Sequence, residues 1–70
     1  MFEALKRAKY ETAAHYHVLN EFGFDTERLG GWKKASITGE VFKVLKKEGR
    51  LNEEAFCELF VSKLKSEGVI

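Results

Sequence analysis

His15, His17 and Cys57 are the two histidines and the single cysteine of this 70-residue chain, and they are its best-suited side chains for metal or nucleophilic chemistry. Their spacing argues against both. His15 and His17 flank Tyr16, and residues two apart on a helix point about 200° away from each other, so the two imidazoles cannot share an ion. Cys57 and one histidine supply two ligands where zinc needs four. A thiol–imidazole pair between Cys57 and His15 would be the minimal activated nucleophile. Cys57, however, sits with Phe56 and Phe60 in an apolar run, and a buried free cysteine behaves as a small inert hydrophobe. No glycine-rich phosphate loop follows a strand, and no carboxylate pair falls in a recognisable cleft. The sequence therefore predicts no enzyme, no catalytic residue, no metal and no cofactor.

The spacing of Gly49 and Leu51 matches the second half of an EF-hand loop, but the alignment fails. With Gly49 at the sixth loop position, Val44, Lys46 and Glu48 fall where the first carboxylates belong and Ala55 where the bidentate glutamate belongs. A helix-turn-helix reading of the C-terminal run fails too, because nothing breaks the chain between Glu53 and Phe60 and no wing strands follow Ile70.

The elements that position these residues are helical. Lys47-Glu48-Gly49-Arg50-Leu51-Asn52-Glu53-Glu54 reads as a helix end, a reversal and a new start. Gly49 tolerates the left-handed conformation found just past helix C-termini, lysines before it suit the negative dipole end, and Asn52 can cap a helix whose first turn holds two glutamates. The expected fold class is all-α, a compact three-helix bundle forming one domain over 1–70, with helices at about 2–22, 37–48 and 53–67. In the first helix, Ala4, Leu5, Ala8, Thr12, His15, Tyr16, Leu19 and Phe22 gather on one face at about 100° per residue and are expected to point inward. His15 then bonds a backbone carbonyl or a hydroxyl. Gly23 ends that helix, and Asp25 or Thr26 caps a short extra helical turn, Thr26 to Leu29, in the loop between helices 1 and 2.

The second helix is expected to start at Ile37, capped by Ser36 or Thr38, with Ile37, Val41, Val44 and Leu45 inward and Phe42 on the margin. Gly39 near its start costs about 1 kcal/mol relative to Ala. The long loop before it leaves Trp32 either as a plug closing the bundle end, the favoured expectation, or as an exposed anchor. The third helix carries apolar residues over roughly 200° of its circumference, about twice what one neighbour requires. It is either the central helix or the contact of a homodimer.

Composition bounds the rest. The chain is 44% apolar, too high for disorder, and lacks proline. A core this small barely offsets roughly 1.5 kcal/mol of ordering entropy per residue, and one cysteine excludes an internal disulfide, so a homodimer is the expected staple. Charges interrupt the N-terminal run Met1 to Arg7, which excludes a signal peptide or membrane anchor and makes the cytoplasm the expected compartment. Net charge is only +1. Yet Lys33, Lys34, Lys43, Lys46, Lys47 and Arg50 against Glu40 and Glu48 give the stretch from Lys33 to Arg50 a charge of +4.

Two functions follow as expectations. The first is a small protein-interaction module, an adaptor, inhibitor or regulator of a larger partner, with Trp32, Phe56, Phe60 and Leu64 as partner-binding candidates. The second is a nucleic-acid-associated accessory protein using the basic stretch from Trp32 to Arg50, with Lys33, Lys34, Lys43, Lys46, Lys47 and Arg50 as its contacts.

Overall fold

Three helices and one 3₁₀ turn make up the computed structural model, which describes residues 2–70. Helix α1 spans Phe2–Phe22, the 3₁₀ turn Thr26–Leu29, α2 Gly31–Glu48 and α3 Glu53–Ser66. The all-α bundle with an extra turn between its first two helices is thus the fold. Helix α3 packs against α1 on one side and α2 on the other. It runs alongside α1 in the same direction, with Phe56 stacked on Tyr10 near their first halves and Lys65 over the Phe22 ring at their ends. Helix α2 runs opposite to both, since its end meets the start of α1 through Lys46 and Glu3, and its start meets the end of α3 through Lys33 and Glu67.

The reversal between α2 and α3 forms as its residue types dictate. Gly49 takes φ +69°, where a side chain would clash, and the N–H groups of Gly49 and Arg50 bond back to the carbonyls of Lys46 and Leu45. Asn52 is extended, and its side-chain oxygen accepts the Ala55 N–H at 2.8 Å.

Phe56, Phe60 and Leu64 of α3 are fully buried against Val18 and Ala14 of α1 and against Ile37, Val41, Phe42 and Leu45 of α2. This explains the width of the α3 stripe, which is covered twice within one chain. The expected homodimer contact through α3 is therefore corrected: the surface that suggested it is already core. Phe42 also moves from the margin into the core, under Tyr10 and the Arg7 guanidinium.

Two further expectations are corrected. Helix α1 is rolled by about 135° from the expected orientation at about 100° per residue: Tyr10, Ala14 and Val18 face the core, while Leu5, Tyr16, Leu19 and Phe22 are exposed. Counting apolar residues favours the wrong face, because the face that fits is the one whose small Ala13 and Ala14 leave room for the Phe56 and Phe60 rings. Helix α2 begins six residues earlier than Ile37. Gly30, at φ +85° and ψ +154°, ends the 3₁₀ turn and supplies the carbonyl for the Lys34 N–H, so nothing delays the helix until Ser36. Thr38 accordingly lies within the helix, fully buried, with no hydrogen-bond partner for its hydroxyl among the described residues.

Opposite shifts in melting temperature should follow from two core substitutions. Phe60→Ala removes a central ring and should lose about 3–5 kcal/mol, enough to unfold most of the chain. Thr38→Val keeps the shape, removes the orphan hydroxyl and should gain about 1 kcal/mol. Circular dichroism melts of both beside wild type check the pair, and a destabilised Thr38→Val would show that its hydroxyl is satisfied after all.

Candidate interaction surfaces

Of the residues singled out for chemistry, His15 is engaged elsewhere and only His17 lies near Cys57. His15 bonds the hydroxyl of Thr26 through Nδ1, with the Asp25 carboxylate 3.9 Å from the same nitrogen. This is the hydroxyl partner expected for it, and it ties α1 to the 3₁₀ turn, where Thr26 is fully buried and Asp25 caps by accepting the Glu27 N–H at 3.0 Å. His15 therefore serves the loop and stays away from Cys57. The histidine that shares a groove with Cys57 is His17, together with Glu53, Glu54 and Glu58. Burial, aided by the Glu53 charge, pushes the Cys57 thiol above its usual range, which keeps it protonated and unreactive at neutral pH. Among the described residues no group of three or more His, Cys, Asp or Glu side chains is placed to hold a metal ion.

The partner-binding candidates separate into two classes. Phe56, Phe60 and Leu64 have no exposed surface and cannot meet a partner without opening the fold. Trp32 is 93% exposed in the first turn of α2, which corrects the expectation of a plug. The reason is local: once α2 starts at Gly31, Trp32 lies on its outer side, while Phe24 and Leu29 pack against the core and close that end instead. Of the other large exposed apolar side chains, Leu5 at 67%, Tyr16 at 57% and Leu19 at 39% lie on the outer face of α1, while Phe22, at 43%, lies toward α3 under the Lys65 ammonium. These positions carried a signal in the sequence, but the signal was for burial. Isolated exposed apolar residues are ordinary; three of them along one helix face form a patch of the kind that marks contact sites.

The six basic candidates do not form one surface. Lys33 pairs with Glu67 at 3.0 Å, Lys34 with Glu27 at 2.8 Å, Lys46 with Glu3 at 2.6 Å and Arg50 with Glu48 at 2.7 Å. The Lys46 ammonium bonds Glu3 and holds its carboxyl below the usual carboxylate range. Lys33 and Lys46 are also about 20 Å apart along α2, thirteen residues at about 1.5 Å each. What the fold does assemble is a smaller basic groove of about 650 Å³ at the other end of the bundle, lined by Arg7, Lys43, Lys46 and Lys47 with Phe42 and Gly39 at its base. Arg7, from α1, has its guanidinium 5.8 Å from the Phe42 ring centroid and was not legible from the sequence. Gly39 lies beside it, and even an added Cβ there would meet the Arg7 Nη1 only at an ordinary contact distance of 3.8 Å. Lys43 and Lys47 have no carboxylate within 4.0 Å among the described residues.

No described helix is long and apolar enough to cross a membrane. Trp32→Ala should leave the thermal melt within about 0.5 kcal/mol of wild type, as for a surface substitution, and its fluorescence should be readily quenched by acrylamide. A melt lowered by several degrees would place the indole in the core. The chain matches no family model, and comparison with the curated proteins and with the solved structures finds no match, so its function is argued from these surfaces.

Proposed function

We propose that this chain is a small protein-interaction module, an adaptor, inhibitor or regulator that works by docking on a protein partner and performs no chemistry of its own. The observation that carries the reading is the apolar outer face of α1, Leu5, Tyr16 and Leu19, left uncovered by a chain that buries Phe56, Phe60 and Leu64 of α3 completely. Burying such residues is the main source of affinity in association, and aromatic residues are over-represented where truncation weakens binding most. Trp32, at the same end of the bundle as Phe22, supplies a second anchor. Its neighbour Lys33 is engaged with Glu67, so the indole stands beside a neutralised pair rather than in an open basic patch.

Binding at this face can be tested without disturbing the core. Immobilised full-length chain and its Leu19→Glu variant should be compared for retention of proteins from the native host. Retention should fall about 30-fold if Leu19 is worth roughly 2 kcal/mol at the contact, while the circular dichroism spectrum stays unchanged. Equal retention by both chains removes the outer face of α1 as the docking surface.

A second reading, nucleic-acid association, is favoured by one specific observation, the groove of Arg7, Lys43, Lys46 and Lys47. A single Glu3 opposes these four cations and is engaged with Lys46. Neutralised phosphates release counterions, so binding here must weaken as salt rises. Labelled single- and double-stranded oligonucleotides at about 50 mM salt should gain anisotropy with wild type and much less with Lys43→Glu/Lys47→Glu. A flat titration with wild type ends this reading.

A further inference from the structure

We infer that the outer face of α1 docks on a second copy of itself, two α1 helices lying antiparallel about a two-fold axis at Thr12. The inference rests on reading this face as a docking surface and goes further by naming its occupant. Leu5, Ala8, Thr12, Tyr16 and Leu19 follow one another at intervals of three, four, four and three residues, a spacing that reads the same in both directions from Thr12. At about 100° per residue all five lie within about 40° of one line along the helix, and all five are exposed.

Self-pairing requires that residue i meet residue j and j meet i. Inverting a copy about Thr12 brings Leu5 to the level of the second Leu19, and Ala8 to the level of the second Tyr16. Leu5 and Leu19 lie on opposite sides of the central line, as do Ala8 and Tyr16, so the members of each pair sit side by side rather than colliding. Ala8 opposite Tyr16 sets a small residue against a large one. Thr12 meets itself at the axis, where a short side chain is needed if the helices are to come within the usual 8–10 Å. No charge occupies this seam. Lys9, on its margin, comes to the level of the second copy's His15 and beside its Tyr16 ring, with no lysine opposite.

The area suffices for a weak dimer. The unburied parts of Leu5, Tyr16 and Leu19 amount to about one and a half large side chains, roughly 300 Å² at about 200 Å² each. Two copies contribute roughly 600 Å², and the flanking Ala8, Thr12, Lys9 and Asn20 raise the total toward the ~1,200 Å² where specific interfaces begin. Such an interface stands at the low end of the range, so the chain should exchange between monomer and dimer. A larger partner for the same face must then displace the second copy.

Sedimentation of the full-length chain from about 1 µM to 1 mM should show half-dimerisation on the order of 10–100 µM, and Leu19→Glu should shift that midpoint at least tenfold while the dilute chain melts as wild type does. Cysteine cross-linking in a Cys57→Ala background fixes the register. Thr12→Cys should oxidise to a disulfide dimer. Leu5→Cys alone should not, because its copies lie about 21 Å apart along the helix, but it should cross-link when mixed with Leu19→Cys. A wild-type chain that is monomeric throughout overturns the inference, as does a dimer insensitive to Leu19→Glu, or a Leu5→Cys chain that joins itself as readily as Thr12→Cys. A monomeric wild type whose Leu19→Glu variant still loses a larger partner would end self-pairing and leave the docking surface standing.

Discussion

Tyr10 stacks on Phe56 with ring centroids 5.4 Å apart, and Phe56 on Phe60 at 6.1 Å, and this column of rings between α1 and α3 sets the rest of the structure. Helix α1 has apolar residues on two opposite faces and could bury either. The rings select the face with Tyr10, Ala13, Ala14 and Val18, since two alanines leave the volume that two phenylalanines fill, and a tightly packed interior rewards that fit over a larger count of methylenes. The roll of α1 then places Arg7 over Phe42 and the hydroxyl-bonded His15 over Thr26. It also turns Leu5, Tyr16, Leu19 and Phe22 outward. Surface apolarity here is a consequence of core selection.

The ends of the bundle are held by local devices of modest strength. Gly30 and Gly49, both at positive φ, divide the chain into helices that can turn back on themselves, while Asp25 and Asn52 satisfy backbone N–H groups at the starts of the 3₁₀ turn and α3. Ion pairs stitch the helices together at both ends, Glu3 to Lys46, Lys33 to Glu67 and Lys63 to Glu40. These pairs are largely solvated, and screening by water keeps the contribution of each small. Their larger effect is electrostatic order. They engage Lys33 and Lys46 of α2 and leave positive charge concentrated where Arg7 joins Lys43 and Lys47.

Cys57 and the histidines show how packing redistributes chemical potential. The thiol lies within the α1–α3 contact, where desolvation keeps its proton on, and the Glu53 charge raises the cost of a thiolate further. His15 is consumed by a structural bond to a buried threonine. The histidine that the sequence suggested as a partner for Cys57 is thus engaged with Thr26, and the histidine beside the thiol is His17.

The sequence by itself determined the elements whose causes are local. Gly49 and Asn52 fix the α2–α3 reversal through a left-handed residue and a cap, Gly23 stops α1, and the extra turn at Thr26 to Leu29 follows from its own acceptor at Asp25. Such features depend on a few adjacent residues, so the chain order contains all that is needed to read them. The start of α2 was misread because Gly30-Gly31 looks like a break, whereas Gly30 both ends one helix and begins the next. The roll of α1, the burial of Phe42, the exposure of Trp32 and the entry of Arg7 into the basic groove could not be read in the same way. The first two and the last depend on packing between residues distant in sequence, Tyr10 with Phe42 and Phe56 and Arg7 with Phe42, while the exposure of Trp32 follows from the start of α2 at Gly31. Periodicity shows that a helix has an apolar face; only the tertiary packing, by testing which face leaves room for the rings, decides which face is inside and which is left exposed.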